Sequence, residues 1–468
     1  MKYAKFCQKP NIGFLFMISL KLILLLFLVL LVIQQTYRFV WECKSLVYCK
    51  SHNNEDDIKT VEDKIIALIP VLKEKDTICQ TIDYLKKFQC DYLDIVIITT
   101  EKEKLATVKD ETTTLDVVHS LNEINGGFHV IHYPKTEGFK GDQINFAVDE
   151  CKKIFPYYHW DNCFFVIFDA DSRPSNDFFD VFCKFNRKQK GNVYQAYTLY
   201  YQNISALNNF LLLNAIHQTR FTFAYEVTNQ IRQSNYFHHP TLFSSICKFM
   251  YTNCVGHGLF IRCSFLDQNR FPDNYPVEDL LYSFYLNCTN EPIYPLIAYD
   301  NCEVPNAFSK WMKQSARWFM GLFETAIHLR IIRQQFVDRK TQNRALQVSV
   351  GNAIRVHKWL GKSMCCFCVY TGTLTSFINL LYRTFDVVDV TFVMMGLLLY
   401  VIQILSLWVV RPSQFMHSKS ISTFRWIVLF MLVPFFMIIY STPTYYSVMN
   451  YFGDKNKNCE KTDKSATK

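Results

Sequence analysis

The chain has 468 residues, of which half are hydrophobic and 16% aromatic, whereas only 19% are charged. This composition argues against a single small domain and favours a protein partly surrounded by lipid over a purely soluble enzyme. The formal charge of +9 comes from scattered basic residues, so we expect a membrane surface or a phosphorylated substrate as partner, and no nucleic acid.

A long apolar segment stands near the start of the chain, from Phe14 to Ile33. At about 1.5 Å per residue, such a helix can cross the hydrocarbon layer. No small-residue cleavage pattern follows it, so we interpret it as a retained anchor rather than a signal peptide. Residues 1–40 are therefore predicted to be a tail and transmembrane anchor, and residues 41–62 a linker.

Residues 63–307 alternate short apolar runs with helical patterns. This alternation predicts an α/β domain with a mostly parallel central sheet, in which ligands lie beyond the carboxyl ends of the strands. The predicted strands are Ile65–Leu72, Leu93–Thr99, Phe128–His132 and Phe164–Phe168, the predicted helices are Asp76–Phe88 and Asp142–Lys153, and Lys102–Asn125 is predicted to be a polar, loop-bearing excursion.

The last third of the chain is predicted to associate with the membrane. Residues 308–360 are expected to form amphipathic interface helices, residues 361–450 three transmembrane helices, and residues 451–468 a polar tail. The three apolar segments are Met364–Tyr382, Val390–Val410 and Trp426–Met449, the last with Pro434 as a predicted kink.

Two carboxylates, Asp169 and Asp171, follow the predicted strand Phe164–Phe168 directly. In an extended segment, residues i and i+2 point the same way, so both acids could bind one cation. Mg²⁺ or Mn²⁺ prefers carboxylates together with phosphate oxygens, which a nucleotide diphosphate supplies. A DxD pattern alone is weak evidence, because Asp171 with Pro174 also fits an Asx turn that ends the strand.

Other motifs in the chain resemble, in their order, those of the family 2 glycosyltransferases with a GT-A fold. The motifs are Ile69-Pro70-Val71-Leu72-Lys73-Glu74, Gly138-Phe139-Lys140-Gly141-Asp142-Gln143-Ile144-Asn145, Gly256-His257-Gly258-Leu259-Phe260-Ile261-Arg262, Val277-Glu278-Asp279-Leu280 and Gln314-Ser315-Ala316-Arg317-Trp318. The last is similar to the QxxRW motif of the membrane-integrated, processive cellulose, hyaluronan and chitin synthases. The resemblance implies a UDP- or GDP-sugar donor, Mg²⁺ or Mn²⁺ at the two acids of the DxD motif, and polysaccharide biosynthesis.

The resemblance makes Asp279 the candidate catalytic base and Glu278 its helper. Inverting sugar transfer needs a base for the acceptor proton and a cation for the departing diphosphate. The alternative is that both acids merely cap the helix predicted at Leu280–Leu286.

Gln314, Arg317 and Trp318 stand at i, i+3 and i+4 and share one helix face. Arg317 could bind the diphosphate through its planar fork, and Trp318 could stack on a sugar ring. A tryptophan on such a helix is otherwise most often an interfacial anchor.

The resemblance gives further substrate contacts at the donor and acceptor. Lys140, with Asp142 in the same motif, is expected near the nucleotide or its phosphates, and Glu74 near the base or ribose. Glu101 stands in for the acidic residue that follows the family's second strand, which leaves the nucleotide's identity open. His257, between two glycines, is expected in a tight turn near the acceptor rather than on a metal.

The leading interpretation is a multi-pass membrane glycosyltransferase whose catalytic domain faces the cytosol and whose acceptor is a glycan or lipid-linked molecule beside membrane lipid. The QxxRW motif favours processive synthesis, but four spans are few for a wide channel, so single transfer stays open. The alternatives are a non-enzymatic receptor or transporter, for which Asn379 and Gln403 are the clearest intramembrane polar residues, and a catalytically silent scaffold.

Overall fold

The computed structural model describes residues 12–51, 63–88, 91–106, 112–238, 251–335, 339–416 and 420–453. Its strands are β1 Lys64–Pro70, β2 Leu93–Thr100, β3 His129–Tyr133, β4 Cys163–Ile167, β5 Arg173–Pro174, β6 Val193–Leu199, β7 Leu259–Arg262 and β8 Ile293–Asn301. They form one sheet in the order β3-β2-β1-β4-β7-β6-β8-β5. The first four of these strands are parallel to each other, as β6 is to β8, whereas β7 and β5 run antiparallel to their neighbours.

Helices cover the sheet and continue into long apolar segments. The α-helices are α1 Ile12–Ser51, α2 Lys75–Leu85, α3 Lys102–Ala106, α4 Thr114–Asn125, α5 Lys140–Ile154, α6 Phe178–Gln189, α7 Asn209–Phe221, α8 Thr228–His238, α9 Cys263–Gln268, α10 Glu278–Thr289, α11 Phe308–Phe323, α12 Thr325–Gln335, α13 Arg339–Leu381, α14 Val387–Val409, α15 Thr423–Ile439 and α16 Thr442–Gly453. Short 3-10 helices lie at Lys86–Phe88, Trp160–Asn162, Ile204–Ala206 and Pro412–Gln414, and a π-helix at Thr222–Val227.

The central strands are apolar along their length because both faces of the sheet are covered. In β1, the side chains of Ile65, Ala67 and Ile69 enter one hydrophobic core, and those of Ile66 and Leu68 enter the core on the other face. This two-residue alternation is what a strand buried on both sides requires. The α/β prediction with a central sheet is confirmed, and the predicted strand ends agree with the structure to within two residues.

The excursion predicted to bear a loop at Lys102–Asn125 is largely helical in its described part. The described part of this segment contains α3 and α4, and residues 107–111 lie outside the described residues. Helix α4 begins at a capping box, in which Thr113 accepts from the Asp116 amide and the Asp116 carboxylate accepts from the Thr113 amide. This box supplies the local start signal that overall polarity obscured.

Four helical stretches are long and apolar enough to cross a membrane, at Ser19–Lys50, Thr341–Leu381, Val387–Val409 and Thr423–Asn450. They correspond to the four predicted apolar segments. Helix α1 continues to Ser51, so residues 41–51 of the predicted linker are helical, and residues 52–62 lie outside the described residues. Pro434 lies inside α15, which ends at Ile439.

The connection between α14 and α15 contacts the α/β domain. The Tyr201 hydroxyl donates to the Val410 carbonyl, and the ring of Phe415 stacks on Phe223 with centroids 5.3 Å apart. At the other end of these helices, the Lys21 ammonium pairs with Asp386 and Asp389 at 3.2 and 3.1 Å. The domain and the α14–α15 connection therefore share one end of the helix bundle.

Candidate active site

The two acids of the DxD motif lie in a turn at the carboxyl end of β4. The Ser172 amide donates to the Asp169 carbonyl at 3.0 Å, and the Asp169 amide donates to Ser172 Oγ at 3.1 Å. The extended geometry predicted for these acids is therefore wrong, because the strand ends at Ile167 and the chain turns at once. The Asp169 side chain is 35% exposed, whereas Asp171 is buried and its Oδ2 accepts from the Glu303 amide at 3.1 Å.

Lys140 joins this turn to a second loop. Its ammonium donates to Asp169 Oδ1 and to the Gly256 carbonyl, both at 2.6 Å. Burial alone would lower the pKa of Lys140, but the carboxylates of Asp169 and Glu278 outweigh it and raise the pKa. Lys140 is therefore a firmly charged cation at the centre of the site.

Asp142, predicted to contact substrate, holds the loop beside Lys140 in place. Its Oδ2 accepts from the Phe139 amide at 2.6 Å, and its Oδ1 accepts from the Asn274 amide at 3.0 Å. The first contact satisfies an amide at the start of α5, and the second ties α5 to the segment that leads into α10. Asp142 therefore fixes the position of the backbone that carries Lys140. Its predicted contact with substrate stays a prediction.

Asp279 enters the site from the first turn of α10. A side chain at Gly256 would lie 3.3 Å from Asp279 Oδ2 and 3.6 Å from Lys140 Nζ, so the glycine leaves this space open between the two groups. Burial raises the pKa of Asp279, and burial together with the Asp279 charge raises the pKa of Glu278. Val277 is the N-cap residue of α10 and makes no side-chain cap hydrogen bond. Asp279 Oδ1 accepts a hydrogen bond from the backbone amide of the next residue, Leu280, at 2.8 Å.

The QxxRW helix α11 faces the same carboxylate. The charge of Arg317 acts on Asp279, and Gln314 is buried with no hydrogen-bond partner for Oε1 among the described residues. Trp318 is half-buried. Leu322 packs in one hydrophobic core with Leu280, so α11 also contacts α10 through apolar side chains.

Behind the DxD turn lies a buried network that the sequence did not predict. His257 Nδ1 and Asp300 Oδ2 are 2.9 Å apart, and Cys302 Sγ lies 3.4 Å from His257 Nδ1. Asp300 also accepts hydrogen bonds from Ser172 Oγ at 2.6 Å and from the Arg173 amide at 2.9 Å. These two bonds hold the turn that contains Asp169 and Asp171 in place. Burial would lower the pKa of His257, but the hydrogen bond to Asp300 outweighs it and raises the pKa.

The structure places His257 in a bend between Gly256 and Gly258, as expected, and its position near the acceptor stays a prediction. Within the described ranges, the group of three or more metal-ligand side chains whose ligand atoms lie within 4.8 Å of one another is His257, Asp300 and Cys302. The signal that could have found Asp300 is its place at the carboxyl end of a strand, the same rule that identified Asp169.

Glu74 and Glu101 follow the neighbouring strands β1 and β2. The Glu74 amide donates to Thr114 Oγ1 at 2.9 Å. The Glu101 carboxylate lies 2.9 Å from both Lys104 Nζ and His132 Nε2, and these hydrogen bonds lower its pKa. Both acids thus lie at the sheet edge that carries Asp169, and their contacts with a nucleotide stay predictions.

Comparison with known proteins identifies the family of this chain. The family described as Glycosyl transferase family group 2 matches residues 164–452, more than half of the chain. A search of curated protein sequences finds no match.

Among solved structures, the chain is similar to a mannosyltransferase from Pyrobaculum calidifontis in complex with GDP-Man and Mn²⁺, at 13% identity and a TM-score of 0.45, over 82% of this chain and 99% of that one. It is also similar to residues 1–349 of TarS from S. aureus, at 11% identity and a TM-score of 0.38, over 79% and 91%. A glucosyl-3-phosphoglycerate synthase from Mycobacterium tuberculosis, in complex with Mn²⁺, UDP and phosphoglyceric acid, matches at 11% identity and a TM-score of 0.33, over 57% and 84%. Through the family match, this protein belongs to Glycosyl transferase family group 2, and its α/β domain has a GT-A-like fold.

Proposed function

We propose that the protein is a membrane-integrated, inverting glycosyltransferase that moves a sugar from a UDP- or GDP-sugar to an acceptor at the membrane. The observation that carries the proposal is the convergence of Lys140, Asp169 and Asp279 around Gly256, from parts of the chain far apart in sequence. Both signs of charge are needed there, because the donor's diphosphate leaves as an anion and the acceptor gives up a proton.

In this proposal, Asp279 is the general base. Inversion requires the acceptor oxygen to attack the anomeric carbon from the side opposite the diphosphate. A bond forms between these two atoms, the bond from the anomeric carbon to the phosphate oxygen breaks, and the acceptor proton passes to Asp279. The raised pKa of Asp279 suits proton abstraction near neutral pH better than that of an ordinary aspartate.

The cationic side chains stabilise the leaving diphosphate. Lys140 offers a partly buried ammonium, and Arg317 offers a planar guanidinium near Asp279. Gln314, with a buried oxygen that lacks a partner among the described residues, is placed to accept a hydroxyl hydrogen bond from donor or acceptor. Trp318 is the proposed stacking surface for a sugar ring.

A divalent cation fits the DxD turn. Asp169 offers a hard oxygen ligand that is partly exposed and already accepts one cationic group, the Lys140 ammonium. In the proposed holoenzyme, Asp169 and Asp171 would hold Mg²⁺ or Mn²⁺, whose charge would stabilise the diphosphate. Asp171 is buried, with Oδ2 on the Glu303 amide, so its carboxylate would have to turn toward Asp169. The His257–Asp300 pair positions the turn that carries these ligands.

The experiment measures sugar transfer by the full-length protein in lipid nanodiscs, with a panel of UDP- and GDP-sugars and Mn²⁺. We expect Asp279→Asn to lower the transfer rate about 10²- to 10⁴-fold while donor binding is kept. Asp149→Asn is the matched control, because its carboxylate is 60% exposed and pairs with Arg270 on the surface. Full transfer activity of Asp279→Asn would show that another group is the base.

A further inference from the structure

Three cationic side chains come together between α1, α7 and α13, away from the DxD turn. We call Arg38, Arg220 and Lys362 the cation cluster. Lys362 Nζ lies 3.1 Å from His217 Nε2, and the Arg38 guanidinium lies 4.3 Å from the centre of the Tyr225 ring. Arg220 on α7 donates to Gln35 Oε1 on α1 at 3.3 Å, so side chains from the three helices meet here.

The cation cluster carries more positive than negative charge. Arg220 pairs with Glu42 at 3.2 Å, and this pair is buried. Within the part of the chain that the structure describes, Arg38 and Lys362 contact aromatic rings and His217 but form no ion pair with a carboxylate. An excess of positive charge in a low-dielectric environment is stabilised when an anion binds beside it.

His217 lies beside the cation cluster on α7, which is not one of the four helical stretches that could cross a membrane. Burial, together with the positive charges of Lys362, Arg220 and Arg38, lowers the pKa of His217 well below its usual value. His217 therefore stays neutral and can offer a polar ring atom without adding charge. Its Nδ1 is buried and has no hydrogen-bond partner among the described residues, so a polar group is still missing beside the cluster.

The cation cluster lies about one hydrocarbon thickness from the opposite end of the bundle. On α1, Lys21 contacts Asp389, and on α13, Asn379 contacts the same carboxylate. From Lys21 to Arg38, and from Asn379 back to Lys362, the helices rise about 25 Å, close to the thickness of a bilayer core. The cluster therefore stands at the depth of lipid head groups on the side of the catalytic domain.

Polar side chains connect the cluster with the proposed base. Arg355 lies 5.6 Å from the centre of the Phe221 ring, at the start of the π-helix Thr222–Val227, and 5.8 Å from the centre of the Tyr251 ring. The Tyr251 hydroxyl donates to the carbonyl of Leu280, the residue after Asp279, at 2.6 Å. A π-helix inside an α-helical stretch frequently marks a functional site. A ligand held at the cluster would thus lie beside a polar route toward Asp279.

We propose that the cation cluster binds the phosphate of a lipid acceptor whose hydroxyl-bearing head group extends toward Asp279. This inference rests on the proposed function and names its acceptor class, a phosphate-containing membrane lipid. Arg38 and Lys362 are half-buried, so a lipid phosphate can reach them from the head-group layer. Arginine and lysine at this depth bind such phosphates by charge and hydrogen bonding.

The test measures binding of fluorescent phosphatidylinositol to the full-length protein in phosphatidylcholine nanodiscs, without donor. Fluorescent diacylglycerol lacks the phosphate, and inorganic phosphate lacks the lipid. The variants Arg38→Gln and Lys362→Gln each remove one charge and spare the buried Arg220–Glu42 pair. We expect each to weaken phosphatidylinositol binding about fivefold or more. Arg411→Gln is the matched control, because Arg411 also lies over an aromatic ring, Trp408, but outside the cluster.

The outcomes separate this inference from the proposed function. It is supported if phosphatidylinositol binds far better than diacylglycerol or inorganic phosphate, and if only the cluster variants lose that binding. Equal binding of diacylglycerol would overturn it, as would unchanged binding by both variants, and competition by millimolar inorganic phosphate would indicate a free-anion site instead. Donor hydrolysis with Mn²⁺, measured on the same samples, tests the glycosyltransferase proposal without reference to the lipid.

Discussion

At the residue scale, the chemistry of Asp279 depends on its charged neighbours. Burial raises its pKa, whereas the positive charge of Lys140 lowers it. A base works only when deprotonated, so transfer should fall as pH drops through the pKa of Asp279. Because that pKa is raised, the fall should begin above about pH 4, the usual aspartate value.

Lys140→Met should move this acid limb to higher pH. Removing the ammonium takes away the charge that favours the ionised form of Asp279, so the carboxyl protonates more readily. The measurement is the pH profile of kcat/KM, in which limb position is separate from the overall loss of rate. Lys153→Met removes an exposed lysine paired with Glu150 on the same helix and should leave the limb in place. If the acid limb of the kcat/KM profile lies at the same pH in Lys140→Met as in the unchanged protein, Asp279 is not the group whose protonation produces that limb.

His257 should matter for stability as well as for the site. Its hydrogen bond to buried Asp300 raises its folded-state pKa, so the stabilisation is fully present below about pH 6.5 and is lost as pH rises through the folded pKa. We expect His257→Gln to destabilise the protein by about 3 kcal/mol at acidic pH, because one partner of a buried pair is removed. Thermal unfolding at several pH values measures this. A loss independent of pH would contradict the assignment of a charged pair.

At the element scale, the sequence predicted what depends on local pattern. Continuous apolar runs identified β1 and β4, and the rule that ligands lie beyond strand ends identified Asp169. Lys140, Asp279 and Arg317 were found through motifs, and the structure brings them together. Asp300 belongs to no motif, and its link to His257 and Ser172 depends on the pairing of β8 with β6, which local pattern does not encode.

The approach of α11 to α10 depends on Gly321. A Cβ there would lie 2.8 Å from Leu280 Cδ1 and 3.0 Å from Val277 Cβ, so Gly321→Ala should push the helix that carries Arg317 away from Asp279. We expect a net loss of about 1 kcal/mol, because overpacking outweighs the better helix propensity of alanine. Gly361→Ala is the matched control, since nothing lies within 4 Å of its Cβ position, and it should be neutral or stabilising. Equal thermal stability of the two variants would refute this packing argument.

At the scale of the whole molecule, polar side chains in the apolar helices pair with one another. Tyr370 donates to Gln403, and Asn379 and Ser376 donate to Asp389. A transporter would use such groups to line a path, whereas here they join neighbouring helices. This favours the enzyme over the transporter interpretation. The cation cluster could not be predicted from sequence, because its members are scattered over three helices and each resembles an isolated interfacial charge.

The two ends of the helix bundle give the last prediction, the orientation of the chain. The connection at Pro412–Gln414 lies against the catalytic domain, whereas Lys21 and Asp386 mark the opposite end. If the domain faces the cytosol, where nucleotide sugars are expected, a protease site inserted at Ser420 should be cut in sealed vesicles whose cytosolic face is outward. A site inserted at Thr384 should be cut only after detergent opens the vesicles. Cleavage of the Thr384 insertion in intact vesicles, with protection at Ser420, would place the catalytic domain on the other side and remove its access to cytosolic donor.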